Sequence, residues 1–163
     1  MAAEDIIMAA VIVFMFAIGF FVVYSVTGSV TTQMMGISAI NESEAAMEAL
    51  EGSVAVSNRM DYVVFGVFIA LVLGIIITGW FIGGNPIYMG IYFLVVVIGV
   101  VISTVLSNTW ETVSQSSIFG STVTHFLITN NIMTNLPLYI GIIGFVGIVV
   151  MFAKPYLFGG ENV

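Results

Sequence analysis

The feature that most constrains this chain is a series of long apolar runs that contain no charged residue. The first covers Ile6 to Val26. As a helix rising ~1.5 Å per residue, a run of about 21 residues spans roughly 30 Å, the thickness of a bilayer core. Three more follow, from Tyr62 to Ile82, from Ile87 to Leu106 and from Leu136 to Phe152. Lipid offers no partner to a free N–H or C=O, so a lone spanning segment must satisfy its backbone internally, as a helix does. The expected fold is all-α: one membrane domain, residues 1–163, with spans near 6–26, 62–82, 87–106 and 136–152. A three-span alternative lays one run flat. Two polar, partly amphipathic segments, 28–60 and 107–135, separate the spans.

Composition supports the same solvent. Hydrophobic residues make up 60% of the chain and charged residues 7%, with a mean hydropathy of +1.19. Soluble domains carry about 25% charged residues. Nine acids face two bases, Arg59 and Lys154, for a net charge of −7. That balance excludes ordinary nucleic-acid binding, which needs Lys and Arg to neutralise phosphates. It also opposes attachment to anionic headgroups through a basic patch. With no cysteine, thiolate metal sites, disulfides and Cys nucleophiles are absent. Met1-Ala-Ala-Glu-Asp lacks the basic start of a signal peptide, so the first run reads as a retained anchor.

Local signals set the expected topology. Glu4 and Asp5 precede the first run, where a helix N-terminus favours negative charge. Gly83-Gly84-Asn85-Pro86 predicts a tight turn, with Pro86 opening the next helix and spans two and three forming a hairpin. Asn41 is the expected cap of a short amphipathic helix closing near Gly52. Its acidic face is Glu44, Glu48 and Glu51, and its apolar face Ala46, Met47, Leu50 and Val54. Within 107–135, Phe119, Val123, Phe126, Leu127 and Asn130 share one helical face, and Ser114, Ser117, Ser121 and His125 another. An interfacial helix is expected there. Four spans put both termini and the Gly-Gly-Asn-Pro turn on one side and both polar segments on the other. One basic residue lies on each side, and the short-turn side is taken as the inner one. Trp80, Phe81, Tyr88 and Tyr156 fit one interfacial belt; Tyr62, Trp110 and Tyr24 fit the other.

Candidate functional residues are few. Gly66, Ala70 and Gly74 repeat every four residues in span two; Gly99 and Ser103 mark span three; Gly141, Gly144 and Gly147 crowd span four. Such positions let helix backbones approach closely, within the bundle or against other copies. Glu44, Glu48 and Glu51 are a candidate docking stripe for a basic partner, or simply a solvated face. They lack the Asp-x-Asp-x-Asp-Gly pattern of a calcium loop. His125, the only histidine, has no partner at ligand spacing, so no metal or cofactor is expected. Asn41-Glu-Ser43 matches a glycosylation sequon. No ionisable residue lies mid-span, which argues against a proton relay or transporter site. No nucleophile–base set or phosphate-binding loop is present, and an enzyme is not expected.

Three groups read as end caps and anchors: Asn58 to Asp61 before span two, Ser107-Asn-Thr-Trp-Glu111 after span three, and Asn135-Leu-Pro-Leu-Tyr139 at span four. Over roughly Asn58 to Lys154 this arrangement resembles the small multispanning membrane proteins of membrane-containing tailless icosahedral phages. The acidic helix before Asn58 lies outside the pattern. The resemblance implies a structural protein of a virion's internal membrane, whose polar segments dock a protein shell. Lipid, other copies of itself and capsid proteins would be its partners. Two other expectations stand beside it: an accessory subunit of a cellular membrane complex, and a pore or holin-like protein with a channel lined by Ser, Thr and Asn.

Overall fold

Each apolar run lies within a helix, and all four helices outrun their runs. The computed structural model describes residues 2–82 and 86–158, with the side chains of 2–4, 82, 86–89, 152 and 154–158 left undescribed. Helix α1 is Ala2–Met35, α2 Ser38–Asn41, α3 Glu44–Ser57, α4 Met60–Ile82 and α5 Pro86–Ser114. A 3-10 turn, Thr122–His125, precedes α6 (Leu127–Thr134) and α7 (Leu136–Phe158). The expected Gly83–Asn85 turn and the side chains of Glu4, Tyr88, Lys154 and Tyr156 lie outside the described residues.

Helices α1, α4, α7 and α5 form a four-cornered bundle in that order. Contacts fix their directions. Asp5 and Met8 border the same groove as Gly74 and Thr78, while Tyr24 reaches Asn58, so α1 and α4 are antiparallel. Ile6 lies at Gly99 and Phe21 on Trp110, so α1 and α5 run parallel. Gly141 lies at Val100 and Gly147 at Tyr92, so α5 and α7 are antiparallel. The two helices of the expected hairpin run antiparallel, but they do not pack side by side. Only residues 83–85 separate α4 from α5, yet the two stand at opposite corners, each packed between α1 and α7. A short connection reverses the chain direction; it does not make its two helices neighbours.

The interior is apolar and continuous, from Ile6, Ala10, Val13 and Phe21 of α1 to Val64, Phe68 and Ile75 of α4, Tyr92 and Val96 of α5, and Ile140 and Ile143 of α7. The outside is equally apolar: Met15 is 68% exposed, Phe81 74%, Leu94 62% and Phe145 66%. A belt of this kind belongs in lipid, because water would charge roughly 25 cal/mol for each Å² of it. By length and composition three helices can cross a membrane, and four if α6 and α7, bent by 71°, count as one broken span. The protein is an all-α, membrane-embedded bundle.

Candidate docking face at the polar end of the bundle

Helix α1 has 34 residues and is therefore roughly 50 Å long, well beyond the ~30 Å of a bilayer core. Its excess projects at one end. Tyr24 donates a hydrogen bond to Asn58, just before α4 begins, so Ser25 to Met35 rise past the end of α4. Helix α3 packs against this mast. Its Ala46, Met47, Leu50 and Val54 are half-buried, whereas Glu44, Glu48 and Glu51 are exposed on the other side. The expected boundaries are corrected. Ser43, not Asn41, caps α3, its hydroxyl accepting from the Ala46 N–H at 3.4 Å. Asn41 instead ends the one-turn helix α2. The helix passes through Gly52 to Ser57, because Gly52 stays in regular helical conformation within open space.

Beside the mast, 107–135 is not one interfacial helix. Helix α5 runs on to Ser114, turns follow, and α6 then lies across the end of the bundle. Its residue before the first turn is Phe126, which offers no capping oxygen. Asp61, from the first turn of α4, supplies one from a distance of 67 residues in sequence. Its carboxylate accepts from the Ile128 N–H at 3.0 Å, the Thr129 N–H at 2.7 Å and the Thr129 hydroxyl at 2.6 Å. A helix N-terminus has unpaired N–H groups and a positive dipole end, so a carboxylate there is doubly favoured. Asp61 is only 7% exposed. Hydrogen bonds to a charged acceptor contribute on the order of 1.5–3 kcal/mol each. At the middle of α6, Trp110 Nε1 donates to Asn130 at 2.9 Å. At its end, the Ser107 hydroxyl donates to the Thr134 carbonyl at 2.9 Å.

An aromatic cluster seats this clamp on α1. Phe21 packs against Trp110, Phe119 and Phe126 with centroids 5.1, 5.3 and 5.6 Å apart, and Tyr24 packs against Phe126 and His125. Trp110, expected as an interfacial anchor, is 0% exposed and belongs to the core. Sequence reasoning missed Asp61, Thr129 and Asn130 as a unit. One signal was present: a short helix opening at Phe126, with no Ser, Thr, Asp or Asn at its cap, needs an acceptor from elsewhere.

The small residues divide. Gly99 touches Ile6 and Ile140, Gly141 approaches Val100, and a Cβ at Gly144 would overlap Val96. By contrast, Gly66, Ala70 and Gly74 are exposed on the outer face of α4, and no atom would lie within 4 Å of a Cβ at Gly66 or Gly74. His125 stacks on Tyr24 at 5.2 Å. No group of three or more His, Asp or Glu among the described residues is placed to hold a metal ion. Asp61 is committed to backbone N–H groups rather than to a reacting partner. The chain matches no protein-family model, no curated protein and no solved structure.

Proposed function

We propose that this protein is a structural membrane subunit of a larger assembly, anchored by its bundle and docking a basic protein surface through its polar end. The observation that carries the reading is the one-sided build of the molecule. Helix α3 is braced on the mast of α1, so its Glu44, Glu48 and Glu51 stand as an ordered, exposed acidic row. On the same end α6 is held at its start, middle and finish by Asp61, Trp110 and Ser107. Rigid charge beyond the bilayer suits docking; a transport site would call for ionisable groups at mid-membrane depth. The resemblance to membrane proteins of tailless icosahedral phages makes a virion's protein shell the proposed partner and its internal membrane the proposed location.

The test is charge reversal in the intact assembly. Wild-type chain should be recovered with lipid-containing particles and cross-link from position 48 to a shell protein. The triple variant Glu44→Lys, Glu48→Lys, Glu51→Lys should insert in membranes normally yet lose that cross-link. Recovery with a cellular respiratory or secretion complex, or dye leakage from liposomes holding the pure protein, would overturn the reading in favour of an accessory subunit or a pore.

A further inference from the structure

The link between α3 and α4 carries the only Lys or Arg at the polar end of the molecule, Arg59. The same end holds the carboxylates of Glu42, Glu44, Glu48, Glu51, Asp61 and Glu111, yet Arg59 pairs with none of them. Asp61, its near neighbour, is turned inward to α6, and Glu111 accepts from the Gln115 amide. Arg59 is exposed, and its guanidinium makes no hydrogen bond or ion pair among the described residues.

Two contacts set its depth. The Tyr62 and Val63 N–H groups donate to the Arg59 carbonyl at 3.1 and 3.3 Å, so the apolar run of α4 begins directly below it. Beside it Tyr24, near the end of the apolar run of α1, donates to Asn58 Oδ1 at 3.3 Å. Both runs end at this level, where headgroups meet hydrocarbon and where Tyr collects. At about 100° per residue, Arg59, Val63, Gly66 and Ala70 fall within roughly 60° of one another, on the exposed outer side of α4. Arg59 therefore stands over lipid, not over the bundle interior. Two more unpaired donors border it. Tyr24 occupies the Asn58 carboxamide oxygen, which leaves the Nδ2 donors of that exposed side chain without a partner. The hydroxyl of Tyr62, which is 66% exposed, makes no hydrogen bond among the described residues either.

We infer that Asn58, Arg59 and Tyr62 hold the headgroup phosphate of a phospholipid from the leaflet at the polar end, its acyl chains running down the outer face of α4. Arg59 supplies the charge and a planar fork of N–H donors that matches phosphate oxygens bidentately. Asn58 and Tyr62 add hydrogen bonds to the remaining oxygens. The Tyr62 and Val63 amides take no part, since both already donate to the Arg59 carbonyl. The site faces lipid and is separate from the acidic row on α3, so it stands or falls independently of the docking function.

The full chain in detergent micelles is titrated with dioleoyl phosphatidylglycerol and, in parallel, with phosphate-free dioleoylglycerol, and bound lipid is counted by native mass spectrometry. The first phosphatidylglycerol should bind in preference to dioleoylglycerol. Arg59→Gln should weaken that first binding about tenfold, equivalent to ~1.4 kcal/mol. The unfolding midpoint should hold in this variant, because the Arg59 side chain supports nothing else in the fold. Arg59→Lys keeps the charge without the fork and should fall between the two. Equal binding of the two lipids, or wild-type affinity in Arg59→Gln, would overturn the assignment. Displacement of the lipid by an equal concentration of inorganic phosphate would overturn it too, in favour of a site for free phosphate.

Discussion

Helices α4 and α7 both carry small residues at helical spacing, and the two sets have opposite surroundings. On α7, Gly144 and Gly147 lie so close to α5 that an added Cβ would overlap Val96 or the Tyr92 ring. On α4, Gly66, Ala70 and Gly74 face outward. The difference lies in what shares each helix. At 100° per residue, the inward side of α4 (Val64, Phe68, Ile75) lies about 140° around the axis from its small-residue stripe. On α7, Gly144 and Gly147 fall on the same side as Leu136, Ile140 and Met151, which are buried. A small-residue stripe therefore permits close approach without saying to what. The bulky residues around it decide whether it faces the bundle.

The largest expected effect comes from closing the tight contact. Val96 is β-branched and stiff at χ1, so it cannot swing aside for a side chain at 144. Gly144→Leu should cost about 3 kcal/mol or more, the upper range for overpacking, and show as a sharply lowered unfolding midpoint in detergent. A wild-type midpoint would break the comparison at its firmer end, since α5 and α7 could not then be in contact there. Gly66→Leu is the matched control and should leave the midpoint in place.

The second prediction concerns the buried part of α4. Asp61→Ala leaves the Ile128 and Thr129 N–H groups and the Thr129 hydroxyl without their acceptor. A loss of about 2–3 kcal/mol is expected from uncompensated buried donors. Amide hydrogen exchange should localise it, with Ile128 and Thr129 losing protection while the middle of α5 does not. Uniform loss across the bundle would mean that Asp61 supports the whole fold rather than α6. Asp61→Asn, which keeps an acceptor but not the charge, should fall between the two.

These cases also show where the sequence could be read. Helix type, the apolar runs and the acidic face of α3 follow from local pattern, because charge-free length and the 3.6-residue period act on neighbours in sequence. Which side of α4 faces inward does not. That helix is apolar all round, so no polar face points to the lipid or the interior. The diagonal placement of α4 and α5 was hidden for the same reason. The clamp on α6 was hidden by distance, since Asp61 and Thr129 are 68 residues apart and each reads locally as an ordinary helix-end residue. Trp110 was misjudged because a lone Trp at a span end suits an interfacial belt as well as a core. Its burial depends on Phe21 and Phe126 arriving from elsewhere in the chain.

A smaller effect of opposite sign tests the Tyr92 side of the α7 contact. Its hydroxyl is buried, 2% exposed as a residue, and has no hydrogen-bond partner. Tyr92→Phe removes that group and keeps the ring against Gly147. Stability should rise by up to about 1 kcal/mol, the lower range for relieving an unsatisfied buried group. A fall in the unfolding midpoint would show that the hydroxyl is satisfied in the membrane and that the contact is looser than it stands here.

The smallest expected effect on the fold belongs to the outward stripe. Ala70 lines an apolar groove of about 250 Å³ shared by α1 and α4 but is itself exposed. Leucine is a good helix former and fits a lipid-facing position, so Ala70→Leu should change stability by no more than about 0.5 kcal/mol, as surface substitutions do. The informative measurement is then association, followed as energy transfer between labelled copies in lipid bilayers. If the stripe meets a second copy, Ala70→Leu crowds that approach and lowers transfer while the unfolding midpoint holds. If it faces lipid, both quantities stay at their wild-type values. A lowered midpoint would put Ala70 inside the bundle and reverse the contrast between α4 and α7.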